Sequence, residues 1–139
     1  MNNYFIILAA GKGKRFGSKM PKQFSLYKNK PLFMHSIDTA LKSKLFKKII
    51  LVINKINKFK KNLKVDVIKG GKERYLSSKK ALDYIKDKKV NNVFIHDGAR
   101  PNFSINLLKN LNKHIKNNKA VVPYINTDNS TKYNQGGKI

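Results

Sequence analysis

The sequence contains no cysteine among its 139 residues, which excludes structural disulfides and thiolate zinc sites. This absence fits a reducing compartment, and we expect a cytoplasmic protein. Acidic side chains are scarce, because 7 aspartates and glutamates stand against 31 lysines and arginines and give a formal charge of +24. Such an imbalance attracts polyanions: nucleotides, nucleic acid or anionic membranes. The lysines occur in almost every segment, which favours a compositional bias that produces a generally solvated basic surface, so the charge alone names no partner.

Long hydrophobic runs are also missing. The apolar start, Tyr4 to Ala10, is too short to span a bilayer, and no basic residue precedes it, as one would in a secretion signal. We therefore expect neither a signal peptide nor a membrane anchor. The hydrophobic fraction of 40% is ordinary for a globular protein, and the length suits one domain with a single core.

Strand-like and helix-like patterns alternate along the chain. Apolar or alternating runs predict strands over 4–9, 48–54, 64–69, 92–96 and 120–125, and apolar stripes at helical spacing predict helices over 31–44, over 75–85 and from the candidate N-cap Ser104 to Ile115. This order predicts an α/β domain with a mainly parallel sheet and helices on both faces. The polar segment 126–139 holds no helix to cover the last strand. We therefore expect residues 1–139 to form one nucleotide-binding domain that is incomplete at its C-terminal end.

Ligands of open α/β sheets bind outside the carboxyl ends of the strands. Four predicted strands run into segments of glycine, charge or small polar residues, namely AAGKGKRFG, GGKER, HDGARP and PYINTD. In a parallel sheet these segments lie at one edge, and the sequence therefore predicts a binding site there.

The first of these segments has the composition of a phosphate-binding turn. Gly11, Gly13 and Gly17 let the backbone approach a phosphate chain without an intervening Cβ. It is not a P-loop, since no Gly-Lys-Ser/Thr closes it, and it fits a dinucleotide fingerprint poorly, since the third glycine comes one residue late. Arg15 is suited to fork two phosphate oxygens and Lys22 to act as a point charge. A glycine turn with solvated lysines is the alternative.

HDGARP follows the fourth predicted strand and contains an isolated carboxylate. Asp97 is a candidate ligand for a magnesium ion that bridges phosphates, and Arg100 suits a second anionic substrate. Alternatively, the two side chains pair with each other or cap the next turn. His96 reads as a packed residue at the strand end without a role. No cluster has metal-ligand spacing, and no serine-histidine-acid set is evident.

GGKERYLSS follows the third predicted strand. Gly70 and Gly71 permit close approach of the backbone to a base or ribose, and the Ser77 hydroxyl can donate and accept a hydrogen bond there. A turn followed by the start of a helix is the alternative reading of the same residues.

Four motifs occur in an order and with spacings that resemble those of the 2-C-methyl-D-erythritol 4-phosphate cytidylyltransferase family of the non-mevalonate isoprenoid pathway. In chain order they are AAGKGKRFG, PKQF, GGKERYLSS and HDGARP. The resemblance covers most of 4–123. The related ribitol-5-phosphate cytidylyltransferases are less sharply excluded. The family usually has alanine where this chain has Gly98. The family's chain also continues beyond residue 139 with a dimerisation arm and further substrate contacts.

The resemblance implies a Rossmann-like, homodimeric nucleotidyltransferase in which the phosphate of methylerythritol phosphate attacks the α-phosphorus of CTP and pyrophosphate leaves. Arg15 and Lys22 match the family's transition-state stabilisers, Asp97 its magnesium ligand and Arg100 a residue near the sugar phosphate. The positions that match its CTP contacts are Ala9, Ala10, Gly11, Gly13, Gly71, Ser77 and Ala99.

The chemistry of phosphoryl transfer agrees with a cationic site, because both reactants are anions and catalysis consists mainly of positioning and charge stabilisation. The resemblance therefore implies CTP and a sugar-alcohol phosphate as partners, with Mg²⁺ as the cofactor. A non-enzymatic protein that binds nucleic acid is the contrasting class. The dispersed lysines and the lack of an aromatic stacking stretch or helix-turn-helix signal speak against it.

Overall fold

The computed structural model describes residues 1–12, 20–54 and 63–125. In chain order the elements are β1 (Asn3–Leu8), β2 (Leu26–Tyr27), β3 (Lys30–Pro31), α1 (Leu32–Ser43), β4 (Lys48–Val52), β5 (Val65–Ile68), α2 (Arg74–Ile85), β6 (Asn92–Asp97) and α3 (Ile105–His114). Two single 3-10 turns, Lys22–Phe24 and Ile115–Asn117, complete the set. Apart from the strands β2 and β3, the predicted order of strands and helices is confirmed from β1 to α3.

Four strands form a parallel sheet in the order β5-β4-β1-β6. Strand β1 is central and pairs in register with both neighbours, so that Ile6 lies opposite Ile50 of β4 and Ile95 of β6. All six residues of β1 are buried. This explains why its sequence is a continuous apolar run rather than an alternating one, since helices cover a parallel sheet on both faces.

The two faces of the sheet carry separate apolar clusters. On one face, helices α1 and α3 cover the side chains of Phe5, Ile7 and Leu51, with Ile37 and Leu108 as helical partners. On the other face α2 is the one helix of the described residues that covers the sheet, and its buried residues there are Ala81 and Ile85. The helices thus lie on both faces, as expected, and the carboxyl ends of all four strands point to one edge.

A small hairpin, β2 and β3, precedes α1 and was not predicted. Its two central residues, Lys28 and Asn29, have φ values of 49° and 57°, as in the two-residue turns that suit the twist of a hairpin. Asparagine tolerates this left-handed backbone, whereas lysine gives no such signal. The strands have only two residues each, too few for an alternating pattern to reveal.

The strand predicted over 120–125 is wrong for the described chain, because these residues join no sheet there. The side chains of Val122, Tyr124 and Ile125 are 81%, 85% and 93% exposed. β-branched and aromatic residues favour a strand, but a strand exists only where a neighbour pairs with its backbone. In the described chain β6 pairs on one side only, with β1.

No helix in the described ranges is long and apolar enough to cross a membrane. Several predicted site residues, namely Gly13, Arg15 and Gly17, lie outside the described residues, as does the polar segment 126–139.

Candidate functional site

The loops that follow β1, β4, β5 and β6 meet at the carboxyl edge of the sheet. Gly70 comes so close to Ala10 that a Cβ built on the glycine would lie under 3.0 Å from the Ala10 Cβ. Gly98 contacts the β1 end in the same way, with its added Cβ 3.2 Å from the Cβ of Ala9. The edge therefore joins the three segments AAGK, GGKER and HDGARP, as the parallel topology predicts.

The turn that leaves β1 is held by side-chain amides. The Nε2 of Gln23 donates to the carbonyls of Ala9 at 2.8 Å and Gly11 at 2.7 Å, and the Nδ2 of Asn54 donates to the carbonyl of Ala10 at 2.9 Å. Ala9 and Ala10 are buried, whereas Gly11 is exposed. The turn thus has a fixed inner side and an open outer side.

Lys22 stands beside this turn. It opens the 3-10 turn Lys22–Phe24, which follows Pro21. In that turn Gln23 is buried against the β1 loop while Lys22 is exposed. The structure thereby brings PKQF against AAGK, and a cation is presented at the same edge as the glycine turn. Arg15, the second predicted stabiliser, is outside the described residues.

The segment after β5 is shaped by Ser77, whose side chain is buried at the start of α2. Its Oγ accepts a hydrogen bond of 3.0 Å from the Gly71 backbone N–H, and a Cβ on Gly71 would collide with the Leu76 Cβ. Gly70 and Gly71 are therefore both needed for the close packing of this loop. The predicted pair Gly71 and Ser77 is in direct contact, and within the described residues the Ser77 hydroxyl keeps its proton to donate to a ligand.

Asp97 ends β6 and lies between two guanidinium groups. Its Oδ1 is 2.9 Å from the Nε of Arg74, and its Oδ2 is 3.5 Å from the Nε of Arg100. The pairing of Asp97 with Arg100 that sequence left open is thus present, together with a second pair. Within 1–12, 20–54 and 63–125 no group of three histidine or acidic side chains could hold a metal.

A carboxylate such as that of Asp97 suits Mg²⁺, which keeps several waters and takes most of its remaining ligands from substrate phosphates. Asp97 therefore fits the part of a lone protein ligand and does not fit an all-protein metal cage. The two arginines already hold its carboxylate at the mouth of the site.

His96 faces away from this edge, into the core. Its ring stacks on Phe5 at 5.8 Å and contacts Phe103 at 4.5 Å between ring centroids. Its Nε2 lies 2.8 Å from the carbonyl oxygen of Arg100. Burial lowers the pKa of His96 below its usual value, and the Arg100 carbonyl opposes this only in part. The packed role expected for His96 is confirmed.

Ala99 and Arg100, the last two predicted positions, follow Asp97 in the tight turn that ends β6. The Arg100 N–H donates to the Asp97 carbonyl at 3.0 Å. In this turn the Arg100 side chain is exposed and Ala99 is half-buried. Arg100 thus reaches solvent near the Asp97 carboxylate, where a second anion has access.

Sequence reasoning missed three side chains at this edge. Gln23 and Asn54 hold the β1 turn, and Arg74 pairs with Asp97. Gln23 lies inside the PKQF motif and Arg74 inside GGKER, so both stood in segments already singled out. Nothing local marks Asn54, because its role depends on where β4 ends relative to β1.

The described part of this edge combines a glycine turn, exposed cations and the Asp97 carboxylate. Lys12 and Lys22 are exposed at the turn, and Arg74 and Arg100 are exposed around Asp97. Such an arrangement can hold a chain of phosphates by backbone N–H groups and cations and can take one divalent cation beside them.

Comparison with known proteins gives a family match over nearly the whole chain. The model of the 2-C-methyl-D-erythritol 4-phosphate cytidylyltransferase family, IspD, matches residues 4–139. The bifunctional enzyme IspD/IspF of Pelagibacter ubique is 48% identical over 136 residues, which are 95% of this chain and 37% of that enzyme. The 2-C-methyl-D-erythritol 4-phosphate cytidylyltransferase of Wigglesworthia glossinidia brevipalpis is 41% identical over 79% of this chain and 50% of its own.

Solved structures agree. The crystal structure of the Francisella tularensis 2-C-methyl-D-erythritol 4-phosphate cytidylyltransferase is 32% identical and superposes with a TM-score of 0.71, covering 95% of this chain and 63% of that one. This chain therefore spans less than two thirds of each of the three relatives described.

Proposed function

This chain belongs to the 2-C-methyl-D-erythritol 4-phosphate cytidylyltransferase family, and we propose from that premise that it transfers CMP from CTP to 2-C-methyl-D-erythritol 4-phosphate. Pyrophosphate leaves and 4-diphosphocytidyl-2-C-methyl-D-erythritol forms. The observation that carries the proposal is the meeting of the Ala9–Gly11 turn, the Gly71–Ser77 contact and the Asp97 carboxylate at one edge of the sheet. Residues 1–139 act in this proposal as the nucleotide-binding domain.

The reaction needs no covalent intermediate on the protein. The phosphate oxygen of methylerythritol phosphate forms a bond to the α-phosphorus of CTP while the bond to the leaving pyrophosphate breaks. Lys22 and Arg15 stabilise the charge on the equatorial oxygens, and backbone N–H groups of the β1 turn hold the phosphate chain. The exposure of Lys22 beside that turn supports its part.

Cytosine and ribose are assigned to the Gly71 and Ser77 segment, with Ala9, Gly13 and Ala99 completing the CTP contacts. The close backbone approach at Gly71 and the buried Ser77 hydroxyl support this assignment. A rigid, buried hydroxyl distinguishes bases better than a solvated one, because an unmatched partner leaves it unsatisfied.

Asp97 would hold a divalent cation, Mg²⁺ in our proposal, and Arg100 the phosphate of the acceptor. The cation would neutralise phosphate charge when bound. Arg74 and Arg100 hold the Asp97 carboxylate at the carboxyl edge through the pairs at 2.9 and 3.5 Å.

A coupled assay of pyrophosphate release tests the proposal, with CTP, Mg²⁺ and either methylerythritol phosphate or ribitol 5-phosphate as the acceptor. We expect turnover with the first acceptor and with CTP rather than UTP or ATP. Lys22→Ala and Arg15→Ala should each lower turnover on the order of 10²- to 10³-fold, as the loss of a single charge-stabilising donor does. Lys42→Ala, an exposed lysine near the end of α1, is the matched control.

Preference for ribitol 5-phosphate would move the chain to the related polyol-phosphate enzymes. Near-normal turnover in either cation variant would refute its assigned part. Binding to any DNA with steep salt dependence, without selective binding of CTP, would instead support the nucleic-acid-binding alternative.

We also propose that the whole protein is a cytoplasmic homodimer. The family resemblance supports this, and so does the supply of CTP in that compartment. Light scattering on purified protein tests the dimer, and a monomer at all concentrations would contradict it.

A further inference from the structure

Side-chain hydrogen bonds fix the backbone at the end of β1, beyond the last hydrogen bonds of the sheet. The last ladder bonds run from the Ala9 N–H to the Val52 carbonyl at 2.8 Å and from the Gly98 N–H to the Leu8 carbonyl at 2.9 Å. Beyond them the chain leaves the sheet, and its next three carbonyls are all taken by amides.

These amides come from two different elements. Gln23 donates to the carbonyls of Ala9 and Gly11, and Asn54 donates to that of Ala10. Gln23 is only 6% exposed, although glutamine is mostly a surface residue. Its burial costs free energy unless both donors are used, and here both are used on one turn.

A hydrogen bond that fixes the direction of a backbone carbonyl also fixes the direction of the next residue's N–H group. The peptide unit is planar and trans, so the carbonyl of one residue and the N–H of the next point in opposite directions. The three held carbonyls therefore set the directions of the N–H groups of Ala10, Gly11 and Lys12. Backbone N–H groups of a glycine turn are common ligands of phosphate oxygens.

We propose that Gln23 and Asn54 are positioning residues that preorganise the β1 turn for the phosphates of the nucleotide. This inference rests on the proposed function. Neither side chain touches the reacting atoms; each holds peptide units whose N–H groups would otherwise have to be ordered on binding, at a cost in affinity. Gln23 also ties Lys22, its neighbour in the 3-10 turn, to the same turn.

Calorimetric titration of the full 139-residue chain with CTP, tripolyphosphate and CMP, each with Mg²⁺, tests the proposal. We expect Gln23→Met to weaken binding of CTP and tripolyphosphate roughly tenfold and Asn54→Ala about threefold, in line with the loss of two and one hydrogen bonds. CMP, with a single phosphate, should lose much less.

Two control variants remove similar bonds at the opposite edge of the sheet. Asn2→Ala removes a donor to the Lys89 carbonyl at 2.9 Å. Asn3→Ala removes a buried amide that donates to the Leu45 carbonyl and to Asn112. Both should lower the melting temperature without changing the preference for CTP over CMP, which separates stability from positioning.

A pH series with Gln23→Glu adds a second readout. A carboxylate has no proton to donate and faces two carbonyl oxygens, whereas the protonated acid can donate to one of them. The affinity of this variant for CTP should therefore rise toward wild type as the pH falls from about 7 to 5.

Equal losses for CMP and CTP, or wild-type affinity in folded Gln23→Met and Asn54→Ala, would overturn the inference. If Gln23→Met does not fold, Asn54→Ala decides, because Asn54 is exposed. A wild-type chain that binds CTP no better than other polyphosphates would refute the proposed function instead. The titration of the wild-type chain therefore precedes that of the variants.

Discussion

Replacement of Gly70 by alanine should separate two loops that the structure holds in contact. The added Cβ would lie under 3.0 Å from the Ala10 Cβ, 3.0 Å from the Ser77 Oγ and 3.3 Å from the Asn54 Oδ1. Carbon atoms in contact prefer about 3.5–4.0 Å, so the β1 turn or the β5 loop must move. The two nearest neighbours cannot turn aside, since Ala10 has no side-chain rotamer and Ser77 is buried.

Overpacking of this kind costs about 1–3 kcal/mol. For a chain of this length 1 kcal/mol corresponds to roughly 3 °C in melting temperature, so Gly70→Ala should melt about 3–9 °C below wild type in a thermal scan. Gly11→Ala is the matched control, because no atom of the described residues lies within 4 Å of its added Cβ. It should melt at or slightly above the wild-type temperature, since alanine restricts the unfolded chain.

A second change tests whether the named contact is the cause. Ala10→Gly removes the closest atom and should restore part of the loss in the Gly70→Ala background, while the contacts to Ser77 and Asn54 remain. A Gly70→Ala variant as stable as wild type, or a double variant without any recovery, would refute the close approach of the two loops.

Three further predictions concern single side chains. Ser104→Ala removes the acceptor of the Leu107 N–H at 3.1 Å and should cost about 1 kcal/mol, seen as a lower melting temperature that Ser78→Ala does not share. Because the fold lowers the pKa of His96, the unfolded chain binds its proton more readily, so stability is complete above about pH 6.5 and declines below it; His96→Phe should show a smaller drop in melting temperature from pH 7.5 to 5.5, and an equal drop would contradict this. Asp97→Asn should abolish the Mg²⁺-dependent part of the CTP-induced thermal shift but change stability by less than about 1 kcal/mol, since its partners are exposed; an unchanged Mg²⁺ dependence would count against Asp97 as the ligand.

The sheet and the site edge were predictable because both depend on periodicity. Continuous apolar runs marked β1 and β4 as buried on two faces, and alternation with helices implied parallel strands. Once the strands were parallel, the loops containing Gly11, Gly70 and Asp97 had to share one edge. The contact between Gly70 and Ala10 is the detailed form of that prediction.

The two errors in the predicted secondary structure have different physical origins. A strand over 120–125 was inferred from β-branched and aromatic residues, but pairing is a property of two segments, and propensity describes one. The hairpin at Leu26–Pro31 was missed for the opposite reason, since its turn backbone at Lys28 and Asn29 is set locally but its strands are too short to show a pattern.

Site residues also differ in how far the local sequence reveals them. Asp97 and Ser77 were predicted as site residues because a carboxylate or hydroxyl where a strand ends or a helix begins can bind a ligand, and their roles stay predictions. Gln23 was not, because glutamine usually lies on the surface, and only the fold shows it buried with two carbonyls to satisfy. The pair of Arg74 with Asp97 joins α2 to β6 across 23 residues, a spacing that no local rule anticipates.

The net charge of +24 is a poor guide to this site. Three carboxylates of the described chain, Asp38, Asp66 and Asp83, pair with lysines of the general surface, and only Asp97 faces the arginines at the carboxyl edge. Because the excess of lysines gives this net charge and they occur in almost every segment, the charge attracts any polyphosphate to the general surface. In the proposed function, selection of one nucleotide comes from the held backbone and the buried hydroxyl of Ser77, which charge does not supply. For this reason discrimination between CTP and tripolyphosphate, rather than affinity for either, is the property that distinguishes an enzyme site from a basic surface.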